Sequence, residues 1–87
     1  MPWIYVLRSS KDNKLYIGST RDLKNRIKLH NAGKVKSTKS RKPFELLHSE
    51  EYETIIEVRK GENFLKTGHG REWLKNEIVA WKGGRVV

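Results

Sequence analysis

The sequence predicts an α+β fold: a small three-stranded antiparallel sheet flanked by about three helices, in the order β-β-α-β-α-α. Two aromatic and β-branched segments, residues 3–8 and 15–19, flank the polar turn Lys11-Asp12-Asn13-Lys14 and read as a hairpin. Residues 44–52 form a further strand-like run. Around these lie three segments with apolar residues at helical spacing.

Side chains alternate across a strand. With an even loop, the hairpin puts Trp3, Tyr5 and Leu7 on one face with Tyr16 and Gly18, and Ile4, Val6, Leu15 and Ile17 on the other. Gly18 within a strand marks a close approach by another backbone or a ligand, or else a bulge. Thr20 is the expected N-cap of a first helix that runs to about Asn31 and stops at Gly33. Its apolar stripe is Leu23, Ile27 and His30, and residues 32–43 form a basic loop. Thr54-x-x-Glu57 is a capping-box pattern that starts a second helix, expected to run to Lys66 or Thr67 and stop at Gly68. Gly61 lies inside that helix, where it costs about 1 kcal/mol relative to Ala. A last helix covers residues 71–81, with Trp73, Leu74, Ile78 and Trp81 facing inwards. Residues 1–82 make a single domain, and residues 83–87 are expected to fray as a tail.

At 87 residues the core is modest, so an inward-facing polar side chain is costly and informative. The absence of cysteine excludes disulfides and thiolate metal sites. No apolar run approaches the roughly 18 residues of a membrane span, and the N-terminus lacks a signal-peptide pattern. The expectation is a cytoplasmic protein with no membrane partner.

The net charge of +9 is unevenly placed. Residues 8–42 hold twelve Lys or Arg against two acids, a balance of +10, whereas residues 45–57 hold five acids and no Lys or Arg. Lys34, Lys36, Lys39, Arg41 and Lys42, interleaved with Ser and Thr, make a stripe suited to a polyphosphate. Nucleic acid is the partner this favours over an acidic protein, a membrane surface or plain solvation.

Ile55, Val58, Glu62 and Leu65 fall on one helical stripe, so Glu62 is expected on the core-facing side. A carboxylate there needs a cation or a donor. Helical geometry leaves a metal ion and a salt bridge, to Arg26 or another local base, equally open. Arg26 sits at the edge of the first helix's stripe, with His30 one turn on.

Taken in order, Trp3-Ile4-Tyr5-Val6, Leu15-Tyr16-Ile17-Gly18-Ser19-Thr20, Asp22-Leu23-Lys24-Asn25-Arg26 and His30-Asn31-Ala32-Gly33 resemble the opening of a GIY-YIG nuclease domain. Residues 37–44, Glu62-Asn63-Phe64-Leu65-Lys66 and Gly70-Arg71-Glu72-Trp73-Leu74-Lys75 are similar to its short single-domain branch, related to the N-terminal nuclease domain of the excinuclease UvrC. The resemblance covers residues 1–75. Trp3 stands where the family name has Gly, and the asparagine many members carry about three turns after the glutamate falls on Leu74.

The resemblance implies an endonuclease that hydrolyses DNA phosphodiester bonds with one divalent ion, Mg²⁺ or Mn²⁺; a repair intermediate, a recombination branch, foreign DNA and RNA are all open as its natural substrate. A non-catalytic nucleic-acid-binding module on the same fold is the alternative. The implied catalytic residues are Tyr5, Tyr16, Arg26, His30 and Glu62, with Glu62 as metal ligand. Arg26 would hold a phosphate and stabilise transition-state charge. His30 would bond a phosphate oxygen or orient a tyrosine, unless it is a satisfied core histidine. Tyr5 would take the proton of the attacking water, favoured as phenolate by Arg26 and the metal, while Tyr16 positions it, or the two roles are exchanged. Lys34, Lys36, Lys39, Arg41 and Lys42 would hold flanking phosphates. With no base-reading pattern, the substrate would be a DNA structure, such as a branch or nick, and a protein partner or homodimer could add specificity.

Overall fold

The computed structural model describes residues 1–78. Its elements are β1 (Trp3–Ser9), β2 (Leu15–Thr20), α1 (Leu23–Asn31), a 3₁₀ turn (Lys39–Arg41), β3 (Phe44–Glu51), α2 (Ile55–Leu65) and α3 (Gly68–Glu77). The expected order and α+β class are therefore observed. Trp81, the end expected for the last helix, and the tail lie outside the described residues.

The sheet is antiparallel throughout, in the order β2-β1-β3. β1 is central and pairs on both sides, which accounts for its run of buried residues. Tyr5 pairs with Gly18 and Leu7 with Tyr16, so the two faces divide as the alternation predicts. Ile4, Val6, Leu15 and Ile17 form one core with Val58, Leu65, Leu74 and Ile78, beneath α2 and α3. Tyr5, Leu7 and Phe44 form a second with Tyr16, Leu23 and Ile27, beneath α1. The result is three layers, with α1 on one face of the sheet and α2 with α3 on the other. No helix among the described residues is long and apolar enough to cross a membrane.

Three helix boundaries differ from expectation, one being the end of α3 at Glu77, with Ile78 already extended. The N-cap of α1 is Asp22, whose carboxylate accepts from Asn25 N at 3.2 Å. The Thr20 hydroxyl instead accepts from Asp22 N at 3.1 Å, a side-chain turn that competes with capping. Gly68 does not end α2. That helix ends at Leu65, and Gly68 opens α3, capped by Thr67, whose hydroxyl accepts from Gly70 N at 3.1 Å. Gly70 explains the tight join: a Cβ there would lie 2.0 Å from the Phe64 carbonyl oxygen. Gly33, at φ +74°, closes α1 as expected, and Thr54 caps α2 by accepting from Glu57 N at 3.2 Å.

Gly61 has a packing reason. A Cβ would sit 2.5 Å from Ile4 Cδ1, so glycine lets α2 press on the sheet. The stripe expected for α2 is partly corrected. Val58 and Leu65 are buried, but Ile55 is 40% exposed.

Candidate active site

Tyr5 stands at the middle of the central strand and points towards α1, with its phenol 1% exposed. Gly18 makes room for it. A Cβ at Gly18 would lie 2.5 Å from Tyr5 Oη and 3.0 Å from Tyr16 Cε2, and the β1–β2 pairing passes through Gly18 without a shift. The strand glycine thus marks close approach, by two side chains rather than a backbone, and not a bulge.

Spacing by four residues puts Arg26 and His30 on one face of α1, above the phenol. Arg26 Nε donates to Tyr5 Oη at 3.4 Å. His30 Nε2 lies 2.9 Å from the same oxygen, and His30 Nδ1 lies 2.7 Å from Thr38 Oγ1. The rings of Tyr16, Tyr5 and Phe44 surround the imidazole at 5.1, 5.6 and 5.8 Å between centroids. His30 and Thr38 are fully enclosed. Tyr16 is only half-buried, at 6.3 Å from the Tyr5 ring.

Burial dominates the electrostatics. Desolvation holds the Tyr5 phenol above its ordinary value, outweighing the hydrogen bond from Arg26, while Tyr16 and the charge of Glu62 push the same way. Arg26 thus favours the phenolate as expected, but burial outweighs it. Desolvation, aided by Arg26, pushes His30 down to about 4, so the imidazole is neutral near pH 7.

Glu62 is half-buried at the border of the α2 stripe, with its side chain 24% exposed, and it accepts from Lys66 Nζ at 3.0 Å. Its salt bridge is thus to the next turn of its own helix, not to Arg26. Its charge raises the Tyr5 phenol only slightly beside the effect of burial. Among the described residues no three His, Asp or Glu side chains gather as a metal cage. The donor set still fits a hard divalent ion. The half-buried Glu62 carboxylate, the single acid among the residues named for the site, suits a cation that keeps several waters and takes phosphate oxygens as further ligands.

The basic loop divides. Lys34, Lys36, Lys39 and Lys42 are exposed. Arg41 is not: its side chain is 14% exposed, and Nε donates to Asp12 Oδ2 at 2.8 Å. Its guanidinium lies 5.7 Å from the Phe44 ring centroid, and Nη1 is buried without a hydrogen-bond partner. The Arg41 hydrogen bond holds the Asp12 carboxyl well below the usual carboxylate range. Arg41 therefore pins the loop to the β1–β2 turn and does not face solvent as its neighbours do. Ser9 adds to this anchor, donating to the Arg41 carbonyl at 2.5 Å.

Sequence reasoning missed Ser9 and Thr38. Nothing in the alternation of Ser, Thr and Lys separates Thr38 from Ser37 or Ser40; only the loop's path turns it inwards. His48 pairs with Glu50 at 2.7 Å and packs edge-on against Trp73. Tyr52 also donates to Glu50, which pushes its phenol up to about 12. His69 is exposed. Leu74, at the position of the unmatched asparagine, is core.

The fold places the chain among small α+β domains with a three-stranded antiparallel sheet. It belongs to the GIY-YIG family, whose catalytic-domain model matches residues 1–76. A UPF0213 protein of Bacillus velezensis is 46% identical over 65 residues, 74% of this chain and 65% of that protein. The UPF0213 protein YazA of Bacillus subtilis is 43% identical over the same shares. A UPF0213 protein of Staphylococcus haemolyticus is 38% identical over 74 residues, 84% of this chain and 89% of that protein. The match thus spans 65% of the length of the two Bacillus relatives. No solved structure matches.

Proposed function

We propose that the chain is a divalent-metal-dependent endonuclease acting on DNA. The observation that carries this reading is the Tyr5 phenol, held between Arg26 and His30 beside a half-buried Tyr16.

Arg26 spends one N–H on Tyr5, and its other guanidinium N–H groups have no partner among the described residues. They are free to grip a phosphate in two-pronged fashion and stabilise charge as it grows on the phosphorus oxygens. Tyr16 is the tyrosine a water molecule can reach. We assign it the proton of the attacking water, with the enclosed Tyr5 as the residue that positions Arg26. His30, neutral and enclosed, orients Tyr5 rather than touching phosphate. Glu62 would hold the Mg²⁺ or Mn²⁺ ion once Lys66 swings aside. Such an ion supplies Lewis-acid polarisation of the phosphate and help for the leaving oxygen.

Lys34, Lys36, Lys39 and Lys42 would neutralise flanking phosphates without reading bases. The substrate is then a DNA structure, such as a nick or branch arising in repair or recombination in the cytoplasm. A protein partner or a second copy would narrow the choice.

Nicked, branched, single-stranded and duplex DNA incubated with Mg²⁺, Mn²⁺ or EDTA, beside Glu62→Ala, tests the proposal. Cleavage abolished both by EDTA and by Glu62→Ala is expected. Salt-sensitive binding with no cleavage of any substrate would leave a binding module on the same fold.

A further inference from the structure

The Thr38 hydroxyl lies at the inner end of the chain of polar contacts that begins at Arg26. Thr38 is fully buried, belongs to the basic loop and touches His30 Nδ1 at 2.7 Å. Its Oγ1 also lies 3.5 Å from the Val35 carbonyl oxygen. A neutral imidazole has one N–H, so two arrangements are available. In the first, Nδ1–H donates to Thr38, Thr38 donates to Val35 O through a long bond, and Nε2 accepts the Tyr5 proton. In the second, Thr38 donates to Nδ1, and Nε2–H donates to Tyr5 Oη.

The second arrangement leaves the Tyr5 proton with no acceptor among the described residues, on a side chain 1% exposed. A buried donor without an acceptor is the costlier error. In the first, every hydrogen is placed. The Tyr5 proton points inwards to Nε2, and its oxygen lone pair faces the Arg26 N–H.

We propose that Thr38 is a positioning residue of the nuclease site, whose hydroxyl fixes the His30 tautomer that orients Tyr5 and, through it, Arg26. Because Thr38 sits between Lys36 and Lys39, both exposed, the same contact ties the phosphate-binding loop to the arginine that grips the reacting phosphate. This role rests on the nuclease reading, but the tautomer does not.

Two measurements test it. Long-range ¹⁵N–¹H correlation NMR of the full chain without DNA reads which His30 nitrogen carries hydrogen. Single-turnover cleavage at saturating and subsaturating DNA compares wild type with Thr38→Val and Thr38→Ser. The expected results are hydrogen on Nδ1 in wild type and Thr38→Ser, and loss of that single tautomer in Thr38→Val. Thr38→Val should also cleave about tenfold or more slowly, with half-saturation by DNA within about twofold of wild type and Thr38→Ser near wild type, since one buried donor is mispaired. Hydrogen on Nε2 in wild type overturns the proposal, and so does Thr38→Val cleaving at the wild-type rate. If Thr38→Val does not fold, the wild-type spectrum and Thr38→Ser still decide it. Wild type with the Nδ1–H tautomer that cleaves no DNA overturns the nuclease reading and leaves the Thr38–His30–Tyr5 chain standing.

Discussion

Tyr5 Oη and His30 Nε2 meet at 2.9 Å, joining the central strand to the last turn of α1 through two side chains that are almost wholly enclosed. Tyr16, one strand away, remains half-buried. The two motif tyrosines therefore occupy different environments, and this asymmetry leads to the first prediction.

Tyr16→Phe should lower the single-turnover rate by about 100-fold or more, the usual scale for losing a general base. Tyr5→Phe should lower it less, because Tyr5 acts through Arg26. Equal rates for Tyr16→Phe and wild type would remove Tyr16 from the base role.

Stability should fall with acid in a window set by His30. Its folded value of about 4 lies below the ordinary 6.5, so between those limits the unfolded chain binds more protons. The contribution is complete above pH 6.5 and is lost as pH drops towards 4. Asp12, depressed by Arg41, holds its contribution above the ordinary 3.8 and loses it only in stronger acid. Urea midpoints measured from pH 7.5 to 4 on wild type and His30→Gln check this. Equal pH slopes in the two proteins would locate the acid sensitivity elsewhere.

The loop lysines and Arg41 should separate in a salt titration. Each exposed lysine that contacts phosphate contributes roughly 0.7 to 0.9 to the slope of log affinity against log salt. Lys36→Ala or Lys39→Ala should reduce the slope by about that amount. Arg41→Ala should leave the slope unchanged and lower the unfolding midpoint, since Arg41 is spent on Asp12. A reduced slope in Arg41→Ala would show that it reaches DNA after all.

Two glycines should fail in different ways. Gly70→Ala presses Cβ against the Phe64 backbone and should cost about 1 to 3 kcal/mol in stability, as overpacking does. Gly18→Ala presses on the Tyr5 and Tyr16 phenols, whose shifting should lower cleavage more than stability. Chemical denaturation and single-turnover rates on both variants separate the effects.

Much of this was readable from residue order. Period-two alternation assigned Tyr5, Tyr16 and Gly18 to one face and Ile4, Val6, Leu15 and Ile17 to the other, and the structure keeps that division. Helical spacing brought Arg26 and His30 together on α1, and the Thr54 cap began α2 where expected. Periodicity is a local property of the chain, so these features survive without knowledge of their neighbours. Boundaries were less secure where two local devices competed, as at Thr20 and Asp22, or where a glycine served packing, as at Gly68 and Gly70.

The sequence by itself determined the α+β class, the faces of the hairpin and the identity of the tyrosine, arginine, histidine and glutamate candidates. Only the tertiary structure decided which tyrosine is enclosed, that Arg41 turns to Asp12 and that Thr38 faces His30. The reason is physical. A face is set by neighbours one to four residues away, whereas exposure and partner are set by whichever distant segment folds over that face, and here that segment is the basic loop.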